Sequence, residues 1–347
     1  MVSLSNHERT DDLVLGIDVG GTKILSAVID PEGNKVSEYL TATRASEGFE
    51  EVLKSIVESG FGALVKAGKG FSEVRATGLA VAGLIDAKDG IVRASPNLPG
   101  WRNVPLRDRV EAAFGNRVFL INDAHAAAAG EHYFGAGRGC RDFVYITVST
   151  GIGGGLILNN ELYEGANGFG GEVGHMVIDD KGPLCNCGNR GCWEMLASGK
   201  ALEREALRLI ESGSNTTIPL FCHPDPEQSE GEGSQSHPIK CITAKAIHAA
   251  ALAGDPLAVE LIQRTGYYLG VGLSNIINIF NPELIVIGGG LSNIGDMLFK
   301  PAIEEAHRRA FKQSFDLVKF TLAELGAYSG VIGAAAYARQ QLGRPKE

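Results

Sequence analysis

The sequence has no run of eighteen apolar residues, and its opening stretch MVSLSNHERTDD lacks an apolar segment, so neither a transmembrane helix nor a signal peptide is expected. Basic charge is in short supply: 32 Lys and Arg stand against 41 Asp and Glu, a formal net charge of −9 with no Lys/Arg cluster. That balance argues against nucleic acid and anionic membrane as main partners, and leaves any charged substrate to be attracted locally. Two common nucleotide signatures are also missing. Gly16 and Gly21 have the Walker A separation, but Thr22 precedes Lys23, which reverses the Lys-then-hydroxyl order. The turn at Gly151 leads into the apolar LIL with no βαβ unit behind it, which argues against a Rossmann fingerprint. Cysteine is sparse, with six in 347 residues, and Cys185 and Cys187 are one residue apart, poorly placed to pair with each other. A reducing, cytoplasmic location is expected.

What the sequence does contain is a concentrated set of metal ligands. His175, Cys185, Cys187 and Cys192 fall within eighteen residues in the order H-x9-C-x-C-x4-C, with Gly182, Pro183, Gly188 and Gly191 supplying turns that let them converge. Three thiolates and one imidazole fill a tetrahedral shell, so the pattern predicts a structural zinc and leaves no open position for a catalytic water. Free thiols in a loop are the alternative. Glu172 lies an E-x-x-H step before His175, and Glu194 follows two residues after Cys192. A metal-bound His offers its second ring nitrogen as a donor, so this loop can orient an imidazole and two carboxylates toward a polar ligand. Solvated surface acids are the plainer reading of each Glu alone.

At 347 residues the chain predicts about two domains, and 44% hydrophobic with 21% charged residues is an ordinary globular composition. One device occurs twice. LVLGIDVGGTKILSAVID from Leu13 and FVYITVSTGIGGGLILNN from Phe143 both read as apolar strand, Gly-rich turn and second strand. Between them the pattern predicts a helix over Glu50–Lys66, a strand over Ala76–Ala82, a loop with Pro96, Asn97, Pro99 and Gly100, a helix from Pro105, and a strand RVFLIND ending at Asp123. An Ala-rich helix from Ala124 leads to the second half, which carries a strand ending at Gly290 and another near Lys319. The polar, Pro-rich stretch at about 211–240 reads as a mobile surface insertion. TGYYLGVGLSNIINIF fits a core helix better than a dimer interface. Gly-rich turns at Gly20, Gly21 and Thr22, at Thr150, Gly151, Gly153 and Gly154, and at Gly288–Gly290 can aim backbone N–H groups at phosphate, although singly each also reads as a tight hairpin. Asp123 reads equally well as a cleft base or, with Asn122, as a helix cap.

The ordered set LGIDVGGTK, PNLPGW, IND, STGIGGG, GEVGH, CNCGNRGCWE and NPELIVIGGG resembles the ROK family of sugar kinases and repressors, in particular its bacterial glucokinases, from Leu13 to about Gly333. The resemblance implies an α/β, actin-like, hexokinase-type (ribonuclease H-like) fold with two domains, a cleft and a zinc knuckle. Its small domain would be 1–122, completed by 327–347, and its large domain 123–326, with the zinc loop at 175–192. Carried over by residue, the resemblance implies Asp123 as general base and Asn97, Asn122, Asp123, Glu172, His175 and Glu194 as the sugar-reading set. Asp18, Gly20, Gly21, Thr22 and Lys23 would face Mg-ATP, with Thr150 and Gly151 opposite and Gly289 near the adenosine. The expected partners are a hexose and ATP, and the expected assembly a homodimer or homotetramer. D-Glucose phosphorylated to glucose 6-phosphate is the leading activity; N-acetylmannosamine, N-acetylglucosamine, allose or fructose are competing substrates. A sugar-responsive regulator would need a helix-turn-helix ahead of LGID, where twelve residues precede Leu13. Family members often carry Asp in the stretch written here GAYSGVIGAA, where this chain has Tyr328 and Ser329.

Overall fold

A computed structural model describes residues 12–223 and 239–343. Along the first half come β1 (Leu13–Val19), β2 (Lys23–Ile29), β3 (Lys35–Ala42), α1 (Phe49–Ala67) and β4 (Val74–Val81). A small sheet of β5 (Leu84–Asp86), β6 (Ile91–Ala94) and β7 (Arg102–Val104) precedes α2 (Leu106–Phe114), β8 (Val118–Asn122) and α3 (Asp123–Phe134). Then follow β9 (Phe143–Val148), β10 (Ile152–Leu158), β11 (Glu161–Leu162), α4 (Glu194–Ala197), α5 (Gly199–Glu211), β12 (Phe221–His223), β13 (Ile239–Cys241) and α6 (Ala244–Leu252). The chain finishes with α7 (Pro256–Phe280), β14 (Leu284–Gly288), α8 (Asp296–Arg309), α9 (Lys312–Phe315), β15 (Lys319–Leu322) and α10 (Ser329–Gly343).

Two five-stranded sheets share one plan, β3-β2-β1-β4-β8 and β11-β10-β9-β14-β15. In each, two antiparallel pairings are followed by two parallel ones. The central strand β1 reads as an almost continuous apolar run because both of its faces are covered. Leu15 and Ile17 pack with Val52, Ile56 and Leu64 of α1. On the opposite face, Val14 and the neighbouring Ala27 and Ile29 of β2 pack with Val331, Ile332 and Ala335 of α10. Each such aliphatic side chain contributes about 1.5–3 kcal/mol when fully buried. In the second half, α7 and α8 cover β9 and β14 on one side, with Leu269, Leu273, Ile276 and Ile277 buried.

Helices α3 and α10 meet between the sheets at very short range. A Cβ placed on Gly333 would lie 1.6 Å from the Ala126 carbonyl oxygen, and one on Gly130 would lie 2.5 Å from that of Ser329. The partner surfaces of these helices fit as closely. A Cβ on Gly78 of β4 would lie 1.8 Å from the Ala334 carbonyl oxygen, and one on Gly155 of β10 2.4 Å from the Ala128 Cβ. The Ala- and Gly-rich composition of both helices is what permits this approach. Glu131, fully buried in α3, locks the corner by accepting from the backbone N–H groups of Ala136, Glu324 and Leu325 and from the Ser329 hydroxyl at 2.8–3.0 Å. Ser329 is therefore a buried partner of this carboxylate.

Several boundaries differ from expectation. β8 stops at Asn122, and Asp123 is already the first residue of α3, because the Asn122 Oδ1 accepts from the N–H groups of Ala124 and His125 and caps the helix. β14 ends at Gly288, where the backbone of Gly289 turns to φ 88°. The polar insertion is flanked by the strand pair β12–β13, and its middle, 224–238, lies outside the described residues. TGYYLGVGLSNIINIF falls within α7, where it helps build the core, with Tyr267 and Ile279 facing outward. Among the described residues, no helix is long and apolar enough to cross a membrane.

The α3–α10 crossing yields a stability test. Gly333→Ala forces the helices apart, and urea unfolding should give a loss of about 1–3 kcal/mol. A change below about 0.5 kcal/mol would show that the crossing tolerates a methyl group.

Candidate functional site

Two hairpin turns occupy equivalent places in the two sheets. In the first, the Gly20 N–H donates to the Lys23 carbonyl at 3.0 Å, while Thr43 holds the turn by donating its hydroxyl to the Gly20 carbonyl and its N–H to that of Thr22. Thr22 and Lys23 are left exposed at the tip. Gly21 lies against the Asn97 loop, where an added Cβ would be 3.2 Å from the Asn97 backbone oxygen. In the second turn, the Ser149 N–H donates to the Gly151 carbonyl. The start of α5 braces it, because the Gly199 and Lys200 N–H groups donate to the carbonyls of Ser149 and Thr150. Gly289 lies against the end of β9, where a Cβ would be 2.4 Å from the Val148 carbonyl oxygen.

Asp18 and Asp123 are both half-buried. Lost hydration pushes Asp18 up to about 7, the Asp123 charge adds to the rise, and Lys23 opposes it. Asp123 is also raised, first by lost hydration, although the Ala124 N–H donates to its Oδ1 at 2.9 Å. Glu172 is raised by lost hydration, with the charges of Asp123 and Glu194 in the same direction and His175 against it. These mutual effects place Asp18 and Lys23 of the first hairpin, Asp123 of α3, and Glu172, His175 and Glu194 around the Cys-rich loop in one electrostatic cluster. Asn122, next to Asp123 in the chain, donates its side-chain N–H to the Gly83 carbonyl at 3.0 Å.

The Cys-rich loop is folded by its own backbone. Cys185 donates its N–H to the Asn189 carbonyl, Gly188 to that of Cys185, and Gly191 to that of Pro183. Gly191 is required where it stands, since its φ is 65° and an added Cβ would lie 1.5 Å from the Asp179 carbonyl oxygen. The ligating atoms of His175, Cys185, Cys187 and Cys192 all lie within 4.8 Å of one another. His175 Nδ1 is 3.6 Å from the Cys185 sulfur, and the sulfurs of Cys187 and Cys192 are 3.5 Å apart. A tetrahedron with Zn–S bonds of about 2.3 Å has edges of roughly 3.8 Å, so the donor set suits zinc in number, chemistry and size. Because Nδ1 faces the sulfurs, the His175 Nε2 lies on the far side of the ring.

Beyond the knuckle, Trp193 is fully buried and donates its indole N–H to the Tyr268 carbonyl at 3.0 Å, anchoring the loop to α7. Glu194 then accepts from the Ile152 N–H at 3.1 Å through Oε2, an oxygen that a Cβ on Gly151 would approach to 2.1 Å. The second hairpin turn and the exit of the Cys-rich loop therefore share one contact. His125 and Glu131, an imidazole and an acid inside the apolar stretch DAHAAAAGEH, are both buried, and their long-range partners leave no local pattern in the sequence.

The ROK family matches this chain over residues 14–341. A glucokinase of Thermotoga maritima is 35% identical, covering 95% of this chain and 98% of its own. A glucokinase of Streptomyces coelicolor is 37% identical over 94% of this chain and 98% of its own. The crystal structure of a ROK family glucokinase from Streptomyces griseus, in complex with glucose and AMPPNP, superposes with a TM-score of 0.76 at 36% identity, covering 94% of this chain and 99% of that one.

Asp18 supplies a pH test. Its folded value exceeds the ordinary 3.8, so its contribution to stability is full below that value and is lost as pH rises toward about 7. Asp18→Asn, which cannot ionise, should raise the Tm of ligand-free protein at pH 8 and change it little at pH 4. An equal Tm shift at both pH values would contradict the raised proton affinity.

Proposed function

Because the chain belongs to the ROK family, we propose that it is an ATP-dependent hexose kinase that transfers the γ-phosphoryl group of ATP to the 6-hydroxyl of D-glucose. The observation that carries this reading is the position of Asp123, within electrostatic reach of Asp18 on the first hairpin and of Glu172 beside the Cys-rich loop. One carboxylate thus addresses the phosphoryl donor side and the acceptor side together.

Asp123 accepts the 6-hydroxyl proton as that oxygen attacks the γ-phosphorus; the new O–P bond forms while the bond to the departing ADP oxygen breaks. Its raised proton affinity makes it a stronger base than an exposed Asp, and its place at the start of α3 fixes its direction. Asn97, Asn122, Glu172, His175 and Glu194 read the sugar hydroxyls with complementary donors and acceptors. Gly20, Gly21, Thr22 and Lys23, with Thr150 and Gly151 opposite, hold the phosphates, and Gly289 leaves room for the adenosine. Magnesium, brought in with ATP on the Asp18 side, neutralises phosphate charge. Closure of the first unit, 12–122 with 327–343, onto 123–326 excludes water from the γ-phosphate.

Zinc in this reading is structural. His175, Cys185, Cys187 and Cys192 hold it, and the knuckle orients the His175 ring and both glutamates. A cytoplasmic homodimer or homotetramer completes the proposal.

A coupled ADP-release assay over glucose, fructose, allose, N-acetylglucosamine and N-acetylmannosamine tests the assignment. Highest kcat/KM with glucose supports it, preference for another sugar reassigns the substrate, and no turnover with any sugar would point to a regulator. Asp123→Asn should keep glucose binding but lower kcat by roughly 10² to 10⁴. If more than about a tenth of kcat survives, Asp123 is not the base. Elemental analysis should find about one zinc per chain. Cys187→Ser should lower that content and raise the glucose KM more than it alters kcat, whereas fully active zinc-free protein contradicts a structural metal.

A further inference from the structure

His125 stands two residues after Asp123 on the first turn of α3, and its ring is almost wholly buried. Its Nε2 is 2.8 Å from the carbonyl oxygen of Gly170. That oxygen can only accept, so the ring is held with the proton on Nε2. The adjoining Gly171 has φ 81°, and a Cβ there would lie 2.8 Å from the same nitrogen, so the loop is shaped closely around the imidazole. The loop has two further attachments. Gly170 donates its N–H to the Glu164 carbonyl, and the Glu164 carboxylate accepts from the Tyr337 hydroxyl of α10 at 3.1 Å. Gly168 reaches the small sheet, where a Cβ would lie 3.0 Å from the Ile85 carbonyl oxygen. The next residue after this tethered segment is Glu172.

We propose that His125 is a positioning residue for sugar recognition: by donating to Gly170 it fixes the 163–172 loop, so that the helix turn carrying Asp123 also sets the place of Glu172. The proposal rests on the reading of Glu172 as a sugar ligand. The imidazole touches no reacting atom; its effect is to remove the freedom of the loop before the sugar arrives, which lowers the entropic cost of binding. Loss of the N–H donor takes this partner from the part-buried Gly170 carbonyl and lets the loop move.

Three substitutions separate the hydrogen bond from the volume of the ring. His125→Gln can place an amide N–H near the Nε2 position, His125→Phe keeps the ring without a donor, and His125→Asn has a donor that falls short. For Phe and Asn, the glucose KM should rise about tenfold, with the ATP KM within about twofold and kcat changed less than KM. Gln should recover most of the glucose KM. Hydrogen exchange of peptides covering 163–172, measured without ligands, should accelerate in Phe and Asn, recover in Gln, and stay constant over β9 and β10. If His125→Phe does not fold, the Gln and Asn pair decides alone. Unchanged loop exchange, or equal changes in glucose and ATP KM, overturns the proposal. If the parent protein does not phosphorylate glucose, the substrate assignment fails, while loop exchange still decides whether His125 is the tether.

Discussion

The backbone-to-backbone approach of α3 and α10 is the contact on which the rest of this structure depends. Both helices pack against a sheet and against each other, so the distance between the two sheets is set by residues with little or no side chain. Gly130, Gly333, Gly78 and Gly155 each occupy a place where an added Cβ would meet a backbone carbonyl or a neighbouring methyl group at far less than contact distance. Such a junction cannot be repaired by rotamer adjustment, because the clashing atoms belong mostly to the main chain. Asp123 and Asn122 lie at the start of α3, so the proposed base and its neighbour inherit their position from this crossing. Glu131 fixes the opposite end, where α3 leaves the crossing and α10 enters it.

A second constraint runs through the Cys-rich loop. Its four ligand groups gather next to Trp193, whose burial against α7 ties the loop to the core of the second half. The exit of the loop then delivers Glu194 to the N–H of Ile152, directly beside the Gly151 turn. The loop that carries the His and Cys cluster and the Gly151 turn therefore share a contact.

Much of this was legible in the sequence because the signals were local. Strand, glycine turn and strand, occurring twice, gave both hairpins, and the spacing of one His and three Cys gave a cluster that the fold closes within 4.8 Å. The Asn122 and Asp123 boundary was misjudged by one residue, because a strand and the helix it feeds share the same apolar pattern until the cap is seen. The small sheet of β5, β6 and β7 was not anticipated, since short strands among Pro, Gly and Asn read as loop. His125 and Glu131 were hidden for a different reason: Gly170, which His125 meets, and Glu324, Leu325 and Ser329, which Glu131 meets, lie 45 to 198 residues away, and no periodicity reports such a meeting.

The repeated sheet plan has a consequence of its own. In matching hairpins, Asp18 precedes Val19 at the end of β1, and Thr147 precedes Val148 at the end of β9. The two copies of the motif thus differ in charge at the same structural station: one offers a carboxylate and the other a hydroxyl. With an acid in one copy only, the two hairpins carry unlike chemistry at matching positions, so the repeated plan does not make the two halves of the chain equivalent.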